Sequence, residues 1–101
     1  MLSNHYSTDR QARETLIRDH IGIGKVIKSV QVDRGHKNGA EIHKITNTGI
    51  ILIYNAKTNK LVTKLIARPN QIRRYYNNPN QVPQALIKLA IDHTNKGYNL
   101  I

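Results

Sequence analysis

The chain has 101 residues and a formal net charge of +10, with 39% hydrophobic residues but no phenylalanine or tryptophan. This length predicts one domain, residues 1–101, with an aliphatic core. The absence of cysteine excludes disulfides, thiol nucleophiles and cysteine-based zinc sites. No apolar run is long enough to cross a bilayer, and the first residues do not resemble a signal peptide, so we expect a cytoplasmic protein that does not interact with a membrane.

The positive charge is concentrated in one part of the chain. Residues 25–76 hold eleven Lys/Arg and two acids, whereas the segments on either side are nearly balanced. A surplus confined in this way favours an acidic partner over a role in solubility alone. Nucleic acid is the commonest such partner, and an anionic membrane surface or an acidic inhibitor protein is the alternative.

A helix is predicted near the N-terminus. Thr8 and Gln11 fit a capping box, and apolar residues recur at helical spacing until Gly22 and Gly24 end the helix. Its outer face alternates acidic and basic residues, which is typical of a structural helix.

Four strands are predicted next, at residues 25–33, 40–46, 50–56 and 61–67. The third is the most apolar and should lie at the centre of the sheet, and Gly49 before it should adopt positive φ. A short helix is expected over residues 70–76 and a longer one over 82–95, ended by Gly97. The order predicts an α+β fold: an N-terminal helix, a four-stranded antiparallel sheet and a C-terminal helix packed on the sheet, with the helices on one sheet face.

Residues able to transfer protons or bind phosphate cluster between positions 36 and 44. This segment contains His36, Lys37, Glu41, His43 and Lys44. A histidine beside a carboxylate can perform acid–base chemistry at neutral pH, and lysines attract phosphate. The cluster therefore favours chemistry on RNA, although His43 and Glu41 could equally be a sheet residue and a counter-charge for the lysines.

The hairpin turns decide which of these residues share a sheet face. A three-residue loop at 47–49, followed by a two-residue turn at 58–59, would place His43 opposite Ile53 and Ile53 opposite Lys64. One face would then carry Glu41, His43, Asn55 and Lys64, and the other would carry Lys44, Tyr54 and Thr63. A one-residue shift in the first hairpin would instead bring Glu41 beside Tyr54 and Thr63, and the sequence leaves both registers open.

Cleavage of RNA by its own 2′-hydroxyl needs a base, an acid and cations near the phosphate, but no metal ion. The candidate catalytic residues are His43, Glu41, His36 and Thr63. The candidate substrate-binding residues are Lys37, Lys44, Lys64, Arg68, Tyr54 and Tyr75, with the tyrosines placed to contact the RNA or stack on a base. No spacing typical of metal ligands is present, and no cofactor is expected.

A segment from Val32 to Tyr76 resembles a family of proteins. It contains a loop histidine, then Gly-Ala-Glu-Ile-His-Lys at 39–44, an apolar strand ending Ile-Tyr-Asn at 53–55, Leu-Val-Thr-Lys at 61–64 and Ile-Ala-Arg-Pro at 66–69. This order resembles the small metal-independent endoribonucleases of the barnase, EndoU, colicin and RelE-like superfamily, in particular the branches encoded by phages and mobile elements.

The resemblance implies a sheet-borne active site. His43 would take the place of the strand histidine, Thr63 that of a late-strand Ser/Thr, and Lys44 or Arg68 that of the phosphate-binding base. The C-terminal helix departs from the general pattern of the group.

Three hypotheses for function follow. The first is a metal-independent endoribonuclease, a toxin or phage-encoded effector that cleaves tRNA or mRNA. The second is a basic module that binds nucleic acid without cleaving it. The third is a basic domain that docks an acidic partner protein such as an antitoxin.

Overall fold

The structure is a computed structural model that describes residues 10–33 and 39–100. Residues 10–16 form an α-helix (α1), which continues into a π-helical turn at Ile17–Ile21 and ends at Gly22. The strands are β1 (Val26–Asp33), β2 (Ala40–Thr46), β3 (Ile50–Asn55) and β4 (Leu61–Ile66). Helices α2 (Pro69–Arg74) and α3 (Gln84–Asn95) follow, with 3₁₀ turns at Pro79–Gln81 and Tyr98–Leu100. The predicted α+β fold is confirmed; the proposed cap at Thr8 lies outside the described residues.

The four strands form one antiparallel sheet in the order β1-β2-β3-β4. The first hairpin turns through residues 47–49, with Gly49 at a φ of 87°. It places His43 opposite Ile53 and Glu41 opposite Asn55, which confirms the register expected from a three-residue loop.

The register predicted for the second hairpin is wrong by one residue. Ile53 lies opposite Thr63, and Lys64 lies opposite Leu52. The connection is longer than two residues because the backbone of Asn55 bonds both Asn59 and Lys60, and Asn59 takes a left-handed φ of 59°. A bulge at Ile53/Tyr54 then shifts the pairing. Thr63 is therefore on the side of His43, and Lys64 is on the side of Lys44.

The helices cover both faces of the sheet, so the expectation that they share one face is wrong. On one face, Ile45, Ile51 and Ile53 are buried beneath α2 and α3; the helical residues of this cluster are Ile72, Leu86, Ile87 and Ala90. On the other face, Ile50 and Leu52 are buried with Ile17 of the α1 turn. A strand with four consecutive apolar residues has apolar side chains on both sides, and each side needs a cover.

A close contact joins the end of α1 to the first hairpin. The hydroxyl oxygen of Thr48 lies 2.7 Å from the carbonyl oxygen of Gly22. Gly24 has a φ of 74°, and a Cβ at this position would lie 2.2 Å from the side-chain oxygen of Asn47. The chain therefore requires glycine at position 24 for both its conformation and its packing.

Candidate functional site

His43 is the centre of a hydrogen-bonded chain of three side chains. Its Nε2 lies 3.0 Å from a carboxylate oxygen of Glu41, and its Nδ1 lies 2.5 Å from the hydroxyl oxygen of Tyr75. Glu41 and His43 project from the same side of β2, and Tyr75 reaches them from the C-terminus of α2. We call this chain the Glu41–His43–Tyr75 triad. Strand alternation and helix packing together produce it.

The histidine of the triad is sealed from solvent. Its relative exposure is 1%, whereas the Glu41 side chain remains 23% exposed. The expectation that His43 projects from an open sheet face toward a bound polynucleotide is therefore wrong, because α2 and α3 cover that face. Both ring nitrogens are already bonded, so His43 can orient or relay a proton, but it cannot contact a ligand directly without rearrangement.

The remaining candidate residues are divided between the two faces. Lys44 and Lys64 lie on the face opposite to His43, where the ammonium of Lys44 sits 4.7 Å from the ring centroid of Tyr54. Thr63 shares the face of His43 but lies two strands away, on β4. Its hydroxyl accepts a long hydrogen bond of 3.4 Å from Arg13. The structure thus brings Glu41, His43 and Tyr75 together and separates them from the other candidates.

Two further candidates, His36 and Lys37, lie outside the described residues. Their predicted roles stay predictions.

A large concave surface lies beyond the end of β4. It is a groove of about 760 Å³ between α1, β4, α2 and α3. Four arginines line it, and we call it the arginine groove: Arg13, Arg68, Arg73 and Arg74. The neutral groups Asn70, Gln71, Thr94 and Asn99 complete its polar lining, and no acid is among the described residues that line it.

The arginines of the groove are oriented by neutral acceptors. Arg68 donates to the backbone oxygen of Asn99 at 3.2 Å, and Arg73 donates to the side-chain oxygen of Asn70 at 2.9 Å. Arg13 donates to the backbone oxygen of Lys64 at 2.7 Å. In the part of the chain that the structure describes, neither Arg68, Arg73 nor Arg74 forms an ion pair. Their positive charge is therefore not neutralised within the described structure.

Sequence reasoning selected Arg68 as a substrate-binding residue but did not select Arg13, Arg73 or Arg74. A signal for the groove was present: residues 42–91 contain eight Lys/Arg and no acid. A run of that length without carboxylates leaves its cations without local partners. The contribution of Arg13 could not be anticipated, because it depends on how α1 docks beside β4.

Glu41, the exposed end of the triad, and the β4 end of the arginine groove lie at opposite ends of the sheet. Glu41 pairs with Asn55, next to the connection between β3 and β4, whereas the groove begins at Leu65 and Ile66 at the far end of β4. Since a strand advances about 3.3 Å per residue, these ends are separated by roughly 15–20 Å. The Glu41 carboxylate is therefore remote from the β4 end of the groove, whereas Tyr75, at the other end of the triad, directly follows Arg74 of the groove in the chain.

A second buried histidine, His93 on α3, is 5% exposed. Its Nδ1 has no hydrogen-bond partner among the described residues. Burial lowers its pKa below the usual value of 6.5, an effect reinforced by Lys96 and opposed by Asp92. It packs near Gly49 and 5.7 Å from the ring of Tyr98, which is consistent with a structural role.

The described residues contain no group of three His, Cys, Asp or Glu side chains placed to hold a metal ion. Within the same residues, no helix combines the length and hydropathy that a membrane crossing requires.

Comparisons with known proteins gave no relative: no protein-family model, no curated protein and no solved structure matches this chain. The resemblance to metal-independent endoribonucleases therefore stays a prediction from short sequence motifs.

Proposed function

We propose that this protein binds RNA through the phosphate backbone, in the arginine groove. The observation that carries the proposal is the convergence of four guanidinium groups on one concave surface that no described acid lines. A guanidinium presents a planar fork of donors that matches two phosphate oxygens. A polyphosphate is thus the natural ligand of this surface.

The geometry of the groove also favours binding without a large rearrangement. Arg68 and Arg73 are held by a carbonyl and an amide oxygen, which orient their guanidinium groups without cancelling their charge. The side chain of Arg74 is exposed and makes no hydrogen bond or ion pair within the described part of the chain. Because Arg68, Arg73 and Arg74 hold no carboxylate among the described residues, no such ion pair offsets their attraction to phosphate.

Binding agrees with the structure better than cleavage does. The predicted catalytic histidine is sealed, and the Glu41 carboxylate lies at the other end of the sheet from the β4 end of the groove. A basic surface without an exposed base beside the bound phosphates retains RNA without breaking it. The net positive charge also favours an acidic inhibitor protein, which would compete with RNA for the same surface. The proposal places the protein in the cytoplasm, where RNA is available.

The test is the affinity for a fluorescently labelled single-stranded RNA, measured by anisotropy in EDTA over a series of salt concentrations. Arg74→Gln should weaken binding on the order of 3- to 10-fold and lower the slope of log K against log salt by about one. The matched control, Lys57→Gln, removes the same charge from the far end of the sheet and should change affinity less than about twofold. Equal losses in the two variants would show that net charge alone drives binding.

We infer a second candidate function, metal-independent RNA cleavage, from the Glu41–His43–Tyr75 triad. Glu41 is its exposed end and could take the proton of a 2′-hydroxyl, while His43 behind it orients the carboxylate. Attack of the 2′-oxygen on the adjacent phosphorus breaks the bond to the 5′-oxygen. The products are a 2′,3′-cyclic phosphate and a 5′-hydroxyl, once the leaving oxygen has gained a proton.

This candidate is tested by incubating the full chain with total RNA in EDTA. Discrete fragments that end in 2′,3′-cyclic phosphate, lost in Glu41→Gln and retained in Arg74→Gln at saturating protein, would support cleavage at the triad. RNA that stays intact at a large excess of protein would eliminate it and leave the binding proposal standing.

A further inference from the structure

The two edges of the sheet are treated differently. On β4, the outward carbonyl oxygens of Val62 and Lys64 accept hydrogen bonds from Arg10 and Arg13, at 2.8 Å and 2.7 Å. Helix α1 thereby covers this edge, which prevents another strand from pairing with it.

Among the described residues, none covers the edge formed by β1 in this way. Ala56 donates to the carbonyl of Ala40, so alternate residues of β2 bond to β3 and the others, including His43, bond to β1. Their partners on β1 are Lys28, Val30 and Val32. By the same alternation, the N–H and C=O groups of Ser29 and Gln31 point away from the sheet. Within the described residues, no hydrogen bond to these outward groups is present.

The side chains of β1 also leave its edge open. Val26 and Ile27 of β1 are 48% and 46% exposed, and Ile23 just before the strand is 41% exposed. Lys28 does not guard the edge, because its ammonium lies 4.8 Å from the ring centroid of Tyr76 on the sheet face. The strand is eight residues long and contains no proline. A long edge strand with exposed apolar side chains, whose only lysine is directed onto the sheet face, can pair with another strand.

We propose that β1 pairs antiparallel with β1 of a second copy of this chain, about a two-fold axis near Ser29. The strand and the residue before it are nearly self-complementary: Lys25 of each chain would lie opposite Asp33 of the other. The exposed Val26 of each chain would lie near Val32 of the other. The two four-stranded sheets become one continuous sheet of eight strands.

The distribution of charge favours a second copy over an acidic partner at this edge. An acidic chain is drawn to the arginine groove, at the other edge of the sheet, whereas β1 itself carries only Lys28 and Asp33. Repulsion between the two basic chains is screened beyond about 8 Å at physiological salt. The inference goes beyond RNA binding and does not depend on it.

The chain has no cysteine, so a single introduced thiol can be used to detect the approach of two chains at one sheet edge at a time. With Ser29→Cys, a short bismaleimide should link two full-length chains, at least about tenfold more than with the matched edge variant Val62→Cys on β4. Equal linking of the two variants would overturn the proposal.

The association itself is measured by sedimentation over a range of protein concentrations, without RNA. The natural chain should sediment as a dimer, and Ser29→Pro should shift it to a monomer with unchanged circular dichroism, because the N–H of Ser29 takes no part in the internal ladder. A natural chain that stays monomeric near millimolar concentration would overturn the proposal. So would a dimer that persists in Ser29→Pro, since another surface would then hold the copies together.

Discussion

His43 acts in this structure first as a buried polar residue with two satisfied nitrogens. A buried histidine at the centre of a sheet is stable only if its partners remain, since an unpaired buried polar group costs about 1–3 kcal/mol. The sequence placed Glu41 and His43 on one face correctly. It did not reveal that the face is covered, and Tyr75 was selected as an RNA contact when it is the second partner of the histidine.

We expect His43→Ala to lower the free energy of unfolding by about 3 kcal/mol, because it removes two hydrogen bonds and leaves a cavity. Tyr75→Phe should cost about 1 kcal/mol, since it removes one bond and little volume. Urea denaturation followed by circular dichroism measures both. The control is His20→Ala, an exposed histidine of α1 whose loss should change stability by less than about 0.5 kcal/mol. If His43→Ala were no more costly than this control, the triad would contribute nothing to folding.

His93 makes stability depend on pH in a defined direction. Its pKa in the folded state is lowered, chiefly by burial, so near and below pH 6.5 the unfolded chain binds the proton more readily than the folded one. The charged and titratable groups that face its pocket are Asp92, Lys96, His20 and Tyr98. The contribution of His93 is complete above pH 6.5 and is lost as pH falls toward its lowered value.

The free energy of unfolding of the natural chain should therefore decrease between about pH 7.5 and pH 5.5, and that of His93→Leu should decrease less. Lys57→Gln serves as the comparison, because it removes an exposed charge at the far end of the sheet and should keep the natural pH dependence. Identical profiles for the natural chain and His93→Leu would show that another group titrates.

The connection between α1 and β1 depends on two glycines with different constraints. Gly22 and Gly24 both have positive φ, at 80° and 74°. A Cβ on Gly22 would meet nothing within 4 Å, whereas one on Gly24 would lie 2.8 Å from the methyl of Thr48 as well as against Asn47. The side-chain oxygen of Asn47 is itself held by the backbone N–H of Lys25 at 2.8 Å.

Gly22→Ala should cost about 1 kcal/mol of stability, from its backbone conformation alone. Gly24→Ala should cost about 2–4 kcal/mol, because the new methyl also displaces the Asn47 side chain and breaks its hydrogen bond. Thermal or urea unfolding of the two variants separates these effects, and each is the control of the other. Equal losses of stability in the two variants would mean that the Asn47 side chain moves away from the new methyl group without destabilising the fold.

Sequence patterns predicted the elements well and their environment poorly. The four strands, the loop at 47–49 and its register follow from β-branched runs and glycine spacing, which are local properties. The predicted register of the second hairpin was wrong because neither the bulge at Ile53/Tyr54 nor the left-handed conformation of Asn59 has a distinct local sequence pattern. The prediction that all helices lie on one face was wrong because helix packing depends on contacts between distant segments. The unbroken apolar run 50–53 nevertheless indicated that both faces of the sheet would be covered by other elements.

At the scale of the molecule, the charge analysis indicated a basic surface, and the partner of that surface stays a prediction. A surplus of cations between residues 25 and 76 predicted a surface for an acidic polymer, and arginines of that segment do converge in a groove. The lysines expected to share a site with His43 are instead on the other side of the sheet. Net charge can be summed directly from a sequence. A catalytic arrangement depends on strand faces and registers, which cannot be obtained by summing residues.

The enclosure of the sheet has a consequence for how bases would be read. Proteins that distinguish single-stranded RNA sequences usually splay bases over an open aromatic platform, but here Tyr54 and Tyr75 pack against buried residues beneath helices. The groove offers guanidinium groups, which recognise the sugar–phosphate chain common to every sequence. Selection from a pool of random oligonucleotides should therefore enrich no motif, and recovery of a defined consensus would reveal a reading surface that the folded sheet does not display.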